Sequence, residues 1–62
     1  MNGSPPSRIA VIIPALDEAG NIRRLVTEVL ETISADVFVV DNGSADATSE
    51  EAQIAGAQVV YE

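Results

Sequence analysis

Two short segments of this sequence place carboxylates directly after an apolar run. Residues 12–18 read IIPALDE, and residues 39–46 read VVDNGSAD. Both apolar runs are typical of buried strands, so the acids of each segment would follow the carboxyl end of a strand. Ligands bind at that edge in open α/β sheets. The two segments are therefore candidate parts of one binding site.

Asp41 is the candidate whose position most favours binding. It directly ends an apolar run, where a buried carboxylate is costly unless it is hydrogen-bonded, and it could accept an N–H from a nucleotide base. The alternative is that this segment is only a polar turn, because turns commonly contain Asp, Asn, Gly and Ser. In that case Asp46 only caps the next helix. In the first segment, Asp17 and Glu18 could complement a helix dipole, or Glu18 could line a ribose and base. The residues alone leave these alternatives open.

Composition excludes several common kinds of site. The sequence contains no cysteine, histidine or lysine. It therefore has no disulfide, no Cys/His zinc site and no histidine to activate Ser44 in a Ser-His-Asp triad. A P-loop needs a lysine, and no G-x-G-x-x-G motif follows the first apolar run. With a net charge of −7 and three basic residues, we predict no nucleic-acid partner.

The sequence shows no targeting or membrane-spanning segment. No run approaches the ~20 apolar residues that cross a bilayer. Residues 1–7 are rich in Gly, Ser and Pro and lack the features of a signal peptide, so we interpret them as a flexible tail. The expected location is the cytoplasm, or the cytoplasmic face of a membrane if the chain is part of a longer parent.

Apolar spacing predicts three strands and two helices in alternation. The strands are expected at residues 8–13, 36–40 and 57–61, with Pro14 ending the first because proline cannot donate to a ladder. The first helix is predicted to begin after Asn21 as its N-cap. Its apolar stripe comprises Ile22, Leu25, Val26, Val29, Leu30 and Ile33, and the second helix has a thinner one of Ala47, Ala52, Ile54 and Ala55. Gly56 is expected to end the second helix.

This alternation predicts a three-layer α/β fold, β-α-β-α-β, with a parallel three-stranded sheet in the order 3-2-1. Such a unit is the first half of a Rossmann-like nucleotide-binding fold. The first strand is highly apolar, which is typical of a strand covered on both faces, yet it would lie at a free edge of the sheet. An apolar edge strand tends to pair, so we expect a further part of a longer protein, or a second copy, beside it.

Together the two segments resemble the N-terminus of the family 2 glycosyltransferases, which have the GT-A fold. The resemblance is to the dolichyl- or polyprenyl-phosphate sugar synthase-like branch, where one strand ends in I-P-A-L/Y-N-E and the next in V-V-D-D/N-G-S-x-D-x-T. It covers residues 8–62, which we interpret as a partial GT-A nucleotide-sugar-binding domain. The residues that it implies for the nucleotide pocket are Pro14, Ala15, Glu18, Asp41 and Asn42. Asp17 departs from the pattern, which usually has Asn there, and adds a negative charge near a nucleotide diphosphate.

The resemblance implies transfer of a sugar from a UDP- or GDP-sugar to an acceptor such as a polyprenyl phosphate. Members of the family hold Mg²⁺ or Mn²⁺ through a D-x-D-type motif on a later strand, and inverting members use a later acid as the catalytic base. Neither motif occurs in this sequence, so we expect the chain alone to bind no metal, to contribute no catalytic residue and to be inactive.

Two other interpretations remain. The chain could be a non-catalytic α/β module that forms a homodimer through its first strand. It could also be a receiver-like or flavodoxin-type fragment, which is disfavoured because such sites place their acids after the first strand and need a partner lysine.

Overall fold

A computed structural model describes residues 9–62 as a parallel three-stranded sheet with two helices. The elements alternate along the chain as β1 (Ile9–Ala15), α1 (Ala19–Thr32), β2 (Ala35–Asp41), α2 (Thr48–Ala55) and β3 (Gln58–Tyr61). The strand order is β1-β2-β3, and both strand pairs are parallel. The predicted fold class and strand order are therefore confirmed. The predicted tail, residues 1–7, lies outside the described residues.

Both helices cover the same face of the sheet. Val37 and Val39 of β2 are buried against Ile22 of α1 and Ala52 of α2, and these residues belong to one core cluster. Strand residues of the other parity point to the opposite face, where Ile12 is 59% exposed. The described residues thus supply two of the three predicted layers. The expectation that the first strand is covered on both faces is wrong for this part of the chain.

The prediction that Pro14 ends the first strand is also wrong, because β1 continues to Ala15. The Ala15 carbonyl oxygen accepts a hydrogen bond from the Asn42 N–H at 2.9 Å, so the polar main-chain groups of Ala15 point towards β2. Those of Pro14 point the opposite way, since successive residues of a strand alternate. β1 is the edge strand of the described sheet, so the missing N–H of Pro14 removes no bond to a described strand. Pairing of this edge with a second copy stays a prediction.

Helix α1 begins earlier than its sequence predicts. Its N-cap is Glu18, and the predicted cap Asn21 lies within the first turn, where its N–H donates to the Glu18 carbonyl oxygen at 2.9 Å. The apolar stripe is only partly buried: Ile22 and Val26 are covered, whereas Leu25, Leu30 and Ile33 are exposed. Amphipathic spacing therefore identified the helix and its inner face but not its first residue.

Helix α2 is short and is held mainly by small residues. Ala52 is buried beneath it, whereas Ile54, which was predicted on its apolar side, is exposed. The helix begins at Thr48, with Ala47 rather than Asp46 at the N-cap position. Gly56 ends it as predicted, with a φ of 111° in the left-handed region that glycine adopts without strain.

Candidate functional site

The candidate site lies at the carboxyl ends of β1 and β2. Ala15 and Asp41 are partners in the parallel register and are the last residues of their strands. Loop 1 (residues 16–18) connects β1 to α1, and loop 2 (residues 42–47) connects β2 to α2. The two loops that carry the sequence-predicted acids therefore leave the same edge of the sheet next to one another.

Asp41 has a buried, ionised carboxylate. Its residue is 4% exposed and has the same parity on β2 as Val39, so its side chain lies on the helix-covered face. Its Oδ1 accepts a hydrogen bond from the Ser44 N–H at 2.8 Å. Hydrogen bonds from the Ser44 hydroxyl and then from the Ser44 N–H hold the pKa of Asp41 below its ordinary value. The carboxylate is therefore negatively charged at neutral pH and stabilised by loop 2.

Two reciprocal hydrogen bonds join loop 1 to loop 2. The Asp17 N–H donates to the Ser44 hydroxyl oxygen at 2.9 Å, and the Ala45 N–H donates to Asp17 Oδ1 at 2.7 Å. Asp17 has a φ of 53°, a left-handed conformation in which Asp is tolerated better than most residues. The acid that departs from the family pattern thus has a structural function of its own, as an acceptor for the main chain of loop 2.

Asp46 and Thr48 connect the first turns of the two helices. The Glu18 N–H donates to Thr48 Oγ1 at 2.8 Å, and the Ala19 N–H donates to Asp46 Oδ2 at 3.2 Å. Asp46 Oδ1 accepts from the Thr48 N–H at 3.0 Å and from the Thr48 hydroxyl. The Thr48 hydroxyl bond is the main reason that the pKa of Asp46 lies below its ordinary value. Helix N-termini stabilise such a negative charge.

We call this set of bonds the interloop network; its side chains are Asp17, Ser44, Asp46 and Thr48. Asp46 was predicted only as a cap of the second helix, but its carboxylate also accepts from α1. Ser44 and Thr48 were not predicted as structural residues of the site. Their hydroxyls were visible in the sequence, but their donors in loop 1 lie 27 and 30 residues away, beyond any local pattern.

The five predicted pocket residues fall into two groups. Ala15, Asp41 and Asn42 meet where β1 and β2 end, through the register pair and the hydrogen bond from Asn42 to Ala15. Pro14 and Glu18 line a shallow depression between β1 and α1, with Ile13, Asn21, Ile22 and Leu25. Pro14 precedes Ala15 on β1, and Glu18 ends loop 1, so both groups border the same carboxyl edge.

The described residues do not fit a divalent cation. Within residues 9–62 no group of three or more Asp or Glu side chains is arranged to hold one. Each nearby aspartate carboxylate already accepts a hydrogen bond from the protein main chain. The donors are the N–H groups of Ala45 for Asp17, Ser44 for Asp41 and Ala19 for Asp46. We therefore derive no metal-dependent step from this part of the chain. None of its helices has the length and apolarity to cross a bilayer.

This sheet edge, with its acids and paired loops, has the arrangement of the first half of a GT-A glycosyltransferase, and solved structures of such enzymes match it. Glucosyl-3-phosphoglycerate synthase from Mycobacterium tuberculosis, in complex with Mn²⁺, UDP-glucose and phosphoglyceric acid, superimposes with a TM-score of 0.79 at 32% identity, over 90% of this chain and 21% of that chain. A second structure, described as a mycobacterial protein, gives a TM-score of 0.80 at 34% identity, over 90% of this chain and 20% of that one.

Sequence comparison identifies the family. Residues 10–60 match the family model described as Glycosyl transferase family 2. Glycosyltransferase AglJ from Haloferax volcanii is 35% identical over 57 residues, which are 92% of this chain and 19% of that protein. The chain belongs to glycosyl transferase family 2. It spans about a fifth of the length of these relatives.

Proposed function

We propose that this chain forms the base- and ribose-binding half of a nucleotide-sugar site. The parent protein would transfer a sugar from a UDP- or GDP-sugar to an acceptor such as a polyprenyl phosphate, and would act in the cytoplasm or on the cytoplasmic face of a membrane. Membership of the family supports the reaction class. A UDP-sugar is favoured because the similar synthase from M. tuberculosis was crystallised with UDP-glucose.

The buried, ionised carboxylate of Asp41 carries this proposal. A carboxylate accepts hydrogen bonds and donates none, so it suits a base that presents an N–H. Uracil presents its N3–H, and guanine its N1–H and amino group. Cytosine has an amino group at C4, but its N3 is an acceptor and would repel a carboxylate placed opposite N3. The pKa of Asp41, lowered by Ser44, keeps the group in its accepting form.

The other predicted pocket residues have positions that suit the sugar and base. Glu18 is exposed beside Pro14 in the depression next to β1, where its carboxylate can accept hydrogen bonds from ribose hydroxyls. Ala15 and Asn42 flank Asp41 and present main-chain and amide groups beside the base. In this assignment the residues bind and orient the nucleotide, and none of them takes part in sugar transfer.

The metal and the catalytic base are proposed to come from other parts of the parent protein. Similar structures hold Mn²⁺ with UDP-glucose, or Mg²⁺ with UDP, and a divalent cation there would neutralise the leaving diphosphate. The donor set of residues 9–62 does not fit such an ion. We therefore expect no turnover when the chain alone is incubated with UDP-glucose and Mn²⁺.

Base selection tests the proposal without altering the protein. We expect uridine 5′-monophosphate to shift the amide resonances of residues 41–45 saturably in NMR titrations. Cytidine 5′-monophosphate and N3-methyluridine 5′-monophosphate should bind at least about tenfold more weakly, because each lacks the N3–H and would leave a buried carboxylate facing an acceptor or a methyl group.

A matched pair of variants provides the control. Asp41→Asn should reduce the preference for uridine over cytidine, whereas Glu31→Gln, which removes one exposed acid of α1, should leave it unchanged. Equal binding of the uridine and cytidine monophosphates by the unaltered chain would contradict the assigned role of Asp41.

A further inference from the structure

We propose that Ser44 is a positioning residue for base recognition: its hydroxyl, held by the Asp17 N–H, orients the Asp41 carboxylate towards the nucleotide. Its effect on nucleotide binding rests on the proposed function. The hydrogen bonds of Ser44 from which this role is argued do not depend on that function. In this proposal, Asp17 of loop 1 helps to orient Asp41 of β2.

The contacts of Ser44 leave its hydroxyl hydrogen free to donate and place Asp41 beside it. A serine hydroxyl has one hydrogen to donate and lone pairs that accept. Its oxygen accepts the Asp17 N–H at 2.9 Å, so that hydrogen bond uses a lone pair and leaves the hydrogen free to donate. The nearby acceptor is Asp41, whose Oδ1 already accepts the N–H of the same serine at 2.8 Å. A hydrogen bond from this hydroxyl is the largest cause of the lowered pKa of Asp41, which indicates that the free hydrogen points to the carboxylate.

Two donors from one residue restrict the rotation of the Asp41 carboxylate. The terminal torsion of an aspartate is otherwise broad and roughly two-fold. A ligand N–H gains most from an acceptor that is already oriented, because no ordering cost arises on binding. Ser44 therefore acts through Asp41, and it needs no contact with the base.

Loop 1 in turn holds Ser44 in place. The Ala45 N–H donates to Asp17 Oδ1 at 2.7 Å, and the Asp17 N–H donates to the Ser44 hydroxyl. Asp17 therefore binds two successive residues of loop 2. The charged group that faces Asp41 across loop 2 is Asp46, whose negative charge opposes the lowering of the Asp41 pKa. Hydrogen bonds from Ser44 outweigh that repulsion.

The test replaces the Ser44 hydroxyl in the 62-residue chain and compares three variants. Ser44→Ala and Ser44→Cys remove the strong donor, since a thiol donates only weakly, while Ser44→Thr retains a hydroxyl. Ser49→Ala is the matched control, because the Ser49 hydroxyl donates to the exposed Glu50 carboxylate on α2 and takes no part in the interloop network. Each protein is titrated with uridine 5′-monophosphate, and the pKa of Asp41 is followed separately through its carboxyl ¹³C resonance.

We expect Ser44→Ala and Ser44→Cys to weaken uridine monophosphate binding by up to about tenfold, because the Asp41 carboxylate must then be ordered when the ligand binds. Both should raise the pKa of Asp41 towards its ordinary value. Ser44→Thr should remain within about twofold of the original affinity, and Ser49→Ala should change neither quantity. If Ser44→Ala does not fold, the Ser44→Cys variant, which preserves the size of the side chain, decides the result.

The two measurements separate failure of this inference from failure of the proposed function. If the unaltered chain binds no uridine monophosphate, the proposed function fails, and the ¹³C titration alone still tests whether Ser44 orients Asp41. An unchanged Asp41 pKa in folded Ser44→Ala and Ser44→Cys would overturn the inference. So would unchanged affinity in these variants when the unaltered chain does bind.

Discussion

The Asp46 carboxylate accepts three hydrogen bonds, from the Ala19 N–H, the Thr48 N–H and the Thr48 hydroxyl. The two N–H donors belong to the first residues of α1 and α2, so one side chain satisfies a main-chain donor in each helix. The sequence predicts a capping role for Asp46, because such a residue before a helix is a common pattern. It cannot predict the bond to α1, since Ala19 lies 27 residues away.

Acid sensitivity is the first consequence at the residue scale. The pKa values of Asp41 and Asp46 lie below the ordinary value of 3.8 in the folded chain. Groups of this kind stabilise the fold above their unfolded pKa, and this contribution is lost as the pH falls through the lowered folded value. We therefore expect the free energy of unfolding to decrease below about pH 3.8, measured by urea titration at a series of pH values.

Asp46→Asn isolates the contribution of one carboxylate to that decrease. At neutral pH the variant should be less stable than the unaltered chain, because it loses the charged acceptor between two helix N-termini. The difference should shrink as the pH falls through the lowered pKa of Asp46, where the unaltered carboxylate becomes protonated. A difference that stays constant down to the acid transition would contradict this account.

Each of the five elements follows from a local pattern, and this is why they could all be predicted. Continuous apolar runs indicated the strands, and apolar residues three and four apart indicated α1. The errors concern ends and faces, which depend on partners remote in sequence. Asn21 is not a cap because Glu18 and Ala19 bond to Thr48 and Asp46 one turn earlier. Pro14 continues its strand because its main chain points away from β2.

The end of α2 provides a prediction at the element scale. Gly56 has a φ of 111°, and a Cβ at this position would lie 3.1 Å from Leu30 Cδ1. Gly56→Ala should therefore destabilise the chain by about 1–2 kcal/mol, since a left-handed conformation and a close contact act together. Chemical denaturation followed by circular dichroism would measure the change.

Gly20→Ala is the matched control. Gly20 is the second residue of α1, where a Cβ would meet no atom within 4 Å, and alanine favours a helix over glycine by up to about 1 kcal/mol. The same substitution is thus expected to stabilise the chain at one position and destabilise it at the other. Equal effects at the two glycines would show that backbone conformation is not the cause.

At the scale of the whole molecule, parallel strands explain why the candidate site was predictable. Strands that run in one direction bring their carboxyl ends to one edge, so acids after two strands must come close together. Ala15, Asp41 and Asn42 do so, and their binding roles stay predictions. Coverage of the faces was not predictable, because an apolar run such as that of β1 does not reveal which of its faces this part of the chain covers.

The difference between the two faces can be measured. Val39 is fully buried on the helix-covered face of β2, and Val60 is 44% exposed on the opposite face of β3. Val39→Ala should cost about 2–3 kcal/mol through lost burial and a residual cavity, whereas Val60→Ala should cost less than about 1 kcal/mol. Urea denaturation of both variants is the measurement, and similar losses would contradict the one-sided core.

Strand order in this sheet is the same as order along the chain, because β2 lies between β1 and β3. A ribosome releases residues in that order, and domains form from the N-terminal side during synthesis. β1, α1 and β2 therefore emerge first, and they can associate without waiting for a strand from later in the described chain. Asp46 and Thr48 emerge next. They accept hydrogen bonds from the Ala19 and Glu18 N–H groups, and these bonds join loop 2 and α2 to the start of α1.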